Sequence, residues 1–151
     1  MLTIAEQLLA NRVLWTALFA WSLAQILKLP LNYFWHHEWN WGLLLAAGGM
    51  PSSHSALVTG AFMGVGFQEG FNSPMFAVAF VLAMIVVYDA TGVRRHAGDQ
   101  ARVINLMIDE LLTGHPLAEK ELKEVLGHTP REVLGGILLG MLISYLMLRV
   151  F

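Results

Sequence analysis

The chain has no cysteine, so disulfides, thiol nucleophiles and cysteine-based metal sites are excluded from the outset. Charge is nearly as scarce. Asp, Glu, Lys and Arg make up 13% of the 151 residues, about half the share of an ordinary soluble domain. No charged residue occurs in 13–27, 39–68, 70–88 or 133–148. A net charge of −2 gives no reason to expect nucleic acid as a partner. The first residues, Met-Leu-Thr-Ile-Ala-Glu, lack a basic region and a cleavage site. The first apolar run therefore reads as a retained anchor rather than a signal peptide.

What is present is apolar. Hydrophobic residues are 56% of the chain and mean hydropathy is +0.58. The uncharged runs approach the roughly 20 residues that cross a bilayer. The shorter ones reach across if Arg12, Lys28 and Arg149 snorkel to the interface. These features predict one all-α integral membrane domain over residues 1–151, a helical bundle with about four crossings.

Asn11 to Leu29 reads as the first crossing, stopped by Pro30, with Gln25 and Lys28 on one face near its end. From Leu31 to Trp41, five aromatic residues form an interfacial belt. His36, His37 and Glu38 lie among them as solvated residues, since no third ligand has metal-binding spacing. Trp39 to Met50 is apolar but too short to cross, which predicts a re-entrant or broken segment. Ser55 to Phe67 is the second crossing and Pro74 to Tyr88 the third, opened by Ser73 as N-cap. Residues 90–128 read as a helical extramembrane insertion on the cytoplasmic side. It contains an amphipathic helix ended by Gly114-His115-Pro116 and a short helix over Leu117–Leu126 capped by Gly127. Thr129-Pro130-Arg131-Glu132 opens the last crossing.

The stretch Gly48-Gly49-Met50-Pro51-Ser52-Ser53-His54-Ser55 carries the clearest chemical signal. Ser52 or Ser53 can cap the following helix, whose first N–H groups and positive dipole end suit an anion. His54 beside them can protonate the leaving oxygen of a phosphate ester. Taken alone, the motif fits a capped membrane helix with a solvated histidine better. Counting crossings supplies partners: Lys28, His54, Asp89, Arg94, Arg95 and His128 all emerge on one side. The arginines offer the planar fork that matches phosphate oxygens, or a charge cluster flanking a membrane helix. His128 and Glu132 are four apart, so the carboxylate can orient the histidine, or Glu132 can close a capping box with Thr129.

Three segments together resemble a known group. Gly-Gly-Met-Pro-Ser-Ser-His-Ser-Ala, Tyr-Asp-Ala-Thr-Gly-Val-Arg-Arg-His-Ala-Gly and Leu-Gly-His-Thr-Pro-Arg-Glu-Val are similar to the divergent branch of the type 2 phosphatidic acid phosphatase superfamily. That superfamily is related to acid phosphatases and vanadium-dependent haloperoxidases. The resemblance extends from Gln25 and Lys28 to the last helix. It implies His54 as leaving-group acid, His128 as nucleophile forming a phosphohistidine, and Glu132 in place of the orienting aspartate. Lys28, Ser52, Ser53, Arg94 and Arg95 would hold the phosphate, with Gln25 and Asp89 in support. It implies no metal and no cofactor. Three departures stand out: Ser53 replaces a glycine, no Ser-Arg pair precedes His128, and the Arg-Pro expected after Lys28 is missing.

The expected function is a phosphatase acting on a lipid phosphate or isoprenoid (di)phosphate at the membrane surface. Its rival is a non-catalytic membrane protein that binds phospholipid headgroups at a retained anion site. Expected partners are membrane lipids and a phosphorylated lipid substrate. The spacings Gly60-x-x-x-Gly64 and Gly136-x-x-x-Gly140 suit either a homodimer contact or packing within the chain. Seven of the nine Lys and Arg residues fall on the side of Lys28, leaving Arg12 and Arg149 on the other. The positive-inside rule then places the site in the cytoplasm, at the plasma (inner) membrane.

Overall fold

The computed structural model describes residues 2–44, 48–112 and 129–150, with 36, 93–97, 99 and 109–112 described by their backbone alone. It contains helices α1 (Ile4–Ala10), α2 (Arg12–His36), α3 (Ser53–Glu69), α4 (Pro74–Thr91), α5 (Val93–Leu112) and α6 (Pro130–Tyr145). A 3-10 turn spans Trp41–Leu44, a π-helical turn Leu146–Val150 follows α6, and no strand occurs among the described residues. The protein is an all-α membrane bundle. Arg12–Trp35, Pro74–Thr91 and Pro130–Val150 are long and apolar enough to cross a bilayer.

Helix starts follow local chemistry. The Asn11 side chain accepts the Leu14 N–H at 3.0 Å to open α2, and Ser73 accepts the Phe76 N–H at 3.2 Å to open α4 just before Pro74. Thr3 with Glu6 and Thr129 with Glu132 form capping boxes at α1 and α6.

Pro30 does not stop the first crossing. α2 continues through it to His36, and His37 closes the helix in a left-handed conformation with its N–H on the Tyr33 carbonyl at 2.8 Å. In an apolar medium, ending a helix exposes several backbone groups, whereas an internal proline removes a single hydrogen bond. Lys28 therefore lies eight residues before the helix end rather than at the interface. It does not snorkel: its side chain is 1% exposed.

α3 is the central element and packs on α2, α4 and α6. Small residues make this possible. A Cβ on Gly60 would lie 3.1 Å from the Ala17 Cα, and one on Gly140 would lie 2.7 Å from the Ala56 carbonyl. Both small-residue stripes are thus occupied inside the bundle, Gly60 and Gly64 against α2, Gly136 and Gly140 against α3. Ala20, Ala24, Ala56 and Ile143 form the core where α2, α3 and α6 meet. Phe62 joins α3 to α4 through edge-on contacts with Phe76 and Phe80. α4 turns the remainder of its surface outward, with Val78, Leu82 and Ile85 all more than half exposed, as a lipid-facing helix does.

Alternate helices run in opposite directions. Arg12 donates to the Met147 carbonyl at 2.6 Å, and the Arg149 guanidinium sits 5.2 Å from the Phe67 ring centre. The start of α2, the end of α3 and the end of α6 therefore share one end of the bundle. At the other end the Ser52 N–H donates to the Glu132 carbonyl at 2.9 Å. Of the residues expected on one side, Lys28, His54 and Asp89 lie toward this end, where Glu132 joins them.

Candidate anion site beneath the re-entrant segment

The segment before Pro51 returns along α2 instead of crossing. Trp41 is stacked on Trp39, which is stacked on Tyr33, near the end of α2. Three residues later the Leu44 carbonyl accepts a 2.8 Å hydrogen bond from Gln25 Nε2. Gln25 is eight residues below Tyr33, about 12 Å along the helix. Gly49 then comes back beside Lys28, where a Cβ would stand 3.6 Å from Lys28 Cδ. Gly49 holds φ at +94°, a conformation that glycine adopts without strain. The chain thus dips into the apolar layer and returns, as the short apolar run predicts.

Under this segment lies a cavity of about 140 Å³. Lys28, Asn32 and Trp35 line it from α2, Leu43, Gly49 and Met50 from the re-entrant segment, and Glu132 from α6. At about 30 Å³ per water, it holds four or five water-sized groups, which is the scale of a phosphate. The Glu132 carboxylate acts electrostatically on Lys28 across this space. A buried ammonium without such a counter-charge would cost several kcal/mol.

Glu132 carries the cap as well. Its Oε2 accepts the Thr129 N–H at 3.3 Å, while Thr129 Oγ1 accepts the Glu132 N–H at 3.4 Å. Of the two roles weighed for this residue, the capping box is formed, while pairing with His128 lies outside the described residues; the same carboxylate also faces the cavity lysine.

Ser52, rather than Ser53, caps α3. Its oxygen accepts the Ser55 N–H at 3.3 Å and the Ser55 hydroxyl at 3.0 Å. Ser52, Ser53 and Ser55 are all buried, and His54 is half-buried in the same first turn. The hydroxyl that the motif offers most obviously to an anion is therefore engaged inside its own helix. Asp89 is half-buried in the last turn of α4 at this end of the bundle. Gln25 lies deeper, and its Oε1 is buried without a hydrogen-bond partner among the described residues.

Arg94 and Arg95 are the second and third residues of α5, three and four residues after α4 ends, and their side chains lie outside the described residues. So does His128, one residue before the Thr129 cap, together with the short helix expected over Leu117–Leu126 and the Gly114-His115-Pro116 and Gly127 stops. Among the described residues, no three His, Asp or Glu side chains are grouped to hold a metal ion.

Asn32 and Trp35 are cavity residues that reading the sequence missed. They continue the Lys28 face at i+4 and i+7, a spacing visible only if the helix passes Pro30. Leu43 and Met50 carry no polar signal that would single them out.

Residues 9–143 match the sequence profile of the Divergent PAP2 family. The chain is also 44% identical over 156 residues to "Uncharacterized membrane protein YuiD" of Bacillus subtilis (strain 168), covering 96% of this chain and 99% of that protein. No solved structure matches it. With nine-tenths of its length matched, and the Lys28, Pro-Ser-Ser-His and Glu132 segments all inside that match, this integral membrane protein belongs to the Divergent PAP2 family.

Proposed function

We propose that the protein is a lipid phosphatase-like hydrolase that removes phosphate from a lipid phosphate or isoprenoid (di)phosphate at the membrane surface. The observation that carries this reading is Lys28: a fully buried lysine at the wall of a phosphate-sized cavity, at the same end of the bundle as His54. Ionisable groups held inside a membrane are costly and mark functional sites. Family membership points the same way.

In the proposed reaction a ring nitrogen of His128 bonds to phosphorus as the ester P–O bond breaks. His54 gives its proton to the departing oxygen. Lys28, with Arg94 and Arg95, offsets the charge on the phosphoryl oxygens. Water then attacks phosphorus as it gives a proton to the neutral His54, the P–N bond breaks and inorganic phosphate leaves. Glu132 offsets part of the cost of burying the Lys28 ammonium and caps the start of α6, two residues beyond His128. No metal takes part in this scheme.

The second reading, headgroup binding without turnover, draws on the engaged Ser52 oxygen and the capping role of Glu132. Phosphate release from phosphatidic acid and isoprenoid diphosphates by purified protein in detergent separates the two. Release that resists chelator and is blocked by vanadate is expected for the enzyme. Retention of the lipid without release would favour the binder.

The site is proposed to face the cytoplasmic leaflet of the plasma (inner) membrane. Cysteines introduced at Glu69 and Glu119 test this with a membrane-impermeant thiol reagent on intact cells. Labelling at Glu69 alone is expected; labelling at Glu119 alone would invert the orientation.

A further inference from the structure

At the end of the bundle away from Lys28, α2 and α4 flank α3 without touching each other among the described residues. A groove of about 560 Å³ is left between them. Its floor is Ala61 and Val65 of α3, and its walls include Leu14 and Ala17 of α2 and Met75 of α4. Its outer rim is polar: Asn11, Gln68 and Glu69. An apolar groove open to a bilayer is filled by apolar matter, because water there would have no partners. The apolar floor leads to a polar rim that carries a carboxylate, the order in which a lipid presents its acyl chain and its headgroup.

The rim identifies the headgroup. Glu69 is the last residue of α3, so a carboxylate and the negative end of a helix dipole coincide there. The two basic residues of this end are directed elsewhere, Arg12 onto the Met147 carbonyl and Arg149 over the Phe67 ring. The Asn11 oxygen is taken by the Leu14 N–H. We infer that this groove is a lipid site for an aminophospholipid, with an acyl chain along Ala61 and Val65 and the headgroup ammonium at Glu69. The site is independent of the proposed phosphatase chemistry and lies at the opposite membrane face.

Native mass spectrometry of the purified protein tests it, with palmitoyl-oleoyl phosphatidylethanolamine and phosphatidylglycerol as competing probes. Phosphatidylethanolamine is expected to be retained at least fivefold better by the wild type. Glu69→Gln should remove that preference while keeping some lipid bound, and Ala61→Phe, which fills the floor, should lower retention of both lipids. Circular dichroism of each variant confirms that the helices persist. Equal retention of the two lipids by the wild type, or an unchanged preference in Glu69→Gln, would overturn the assignment. So would a dimer whose formation Ala61→Phe blocks, since a second copy would then occupy the groove.

Discussion

Lys28 and the two basic residues at the far end of the bundle are placed in opposite ways. At one end Arg12 and Arg149 stay near the surface, one satisfied by a backbone carbonyl and the other by an aromatic face. Such contacts suit a membrane interface and cost little. At the other end Lys28 is 1% exposed, enclosed by α2, the re-entrant segment and α6, with Glu132 facing it. An apolar side chain would fill that space without the cost of taking an ammonium out of water. The difference is what supports the proposal of a ligand site at the Lys28 end, because folding alone gives no reason to place a lysine there.

The largest expected effect breaks that contrast directly. Lys28→Met keeps the length and removes the charge, so phosphate release should fall by about a hundredfold or more, the scale for losing a group that stabilises developing charge. Thermal unfolding of the same variant in detergent should be unchanged or shifted upward when Glu132→Gln is added, because both buried charges are then gone. A Lys28→Met variant that turns over normally would make the lysine a structural curiosity.

A second prediction sharpens the contrast between packed and open positions. Gly140→Ala places a methyl 2.7 Å from both the Ala56 carbonyl and Thr59 Cβ, whereas Gly48→Ala meets nothing within 4 Å. Overpacking of this kind costs about 1–3 kcal/mol. The unfolding midpoint should fall for Gly140→Ala and stay within error for Gly48→Ala. Equal midpoints would mean that α3 and α6 are less closely packed than their glycines indicate.

Much of this architecture was legible in the sequence. The uncharged runs located the crossings, the short run before Met50 located the re-entrant segment, and Ser73-Pro74 and Thr129-x-x-Glu132 located two helix starts. Pro30 was misread because proline ends helices in water, while a bilayer penalises the exposed backbone of a helix end more heavily. A helix stopped at Pro30 hides two of the seven lining residues, Asn32 and Trp35, which follow it on the same face as Lys28. The other wall was hidden for a different reason. Leu43, Met50 and Glu132 reach Lys28 only through tertiary packing, and nothing local marks an apolar side chain as part of a site. The burial of Ser52 was equally illegible, because a serine cap looks the same whether its oxygen faces inward or toward a ligand.

Two smaller effects test the division of labour at the Lys28 end. His54→Ala should slow an alkyl phosphate about a hundredfold and an activated aryl phosphate much less, since only the poor leaving group needs a proton. Equal losses on both substrates would remove His54 from that role. The double variant Arg94→Lys, Arg95→Lys should lose roughly tenfold in turnover, the equivalent of one charge-assisted hydrogen bond of about 1.5 kcal/mol, with membrane insertion intact. Full activity would place the start of α5 outside the site.

The central claim is that the buried-lysine end transfers a phosphoryl group, and trapping the intermediate tests it most directly. Purified protein mixed with ³²P-labelled lipid phosphate and quenched in alkali should retain label that is stable to base and lost in acid, as a phosphohistidine is. Wild type is predicted to show this label, His128→Ala to show none, and Lys28→Met to show it strongly reduced. Rapid phosphate release by the wild type, with no trapped label and no dependence on His128 or Lys28, would contradict the account.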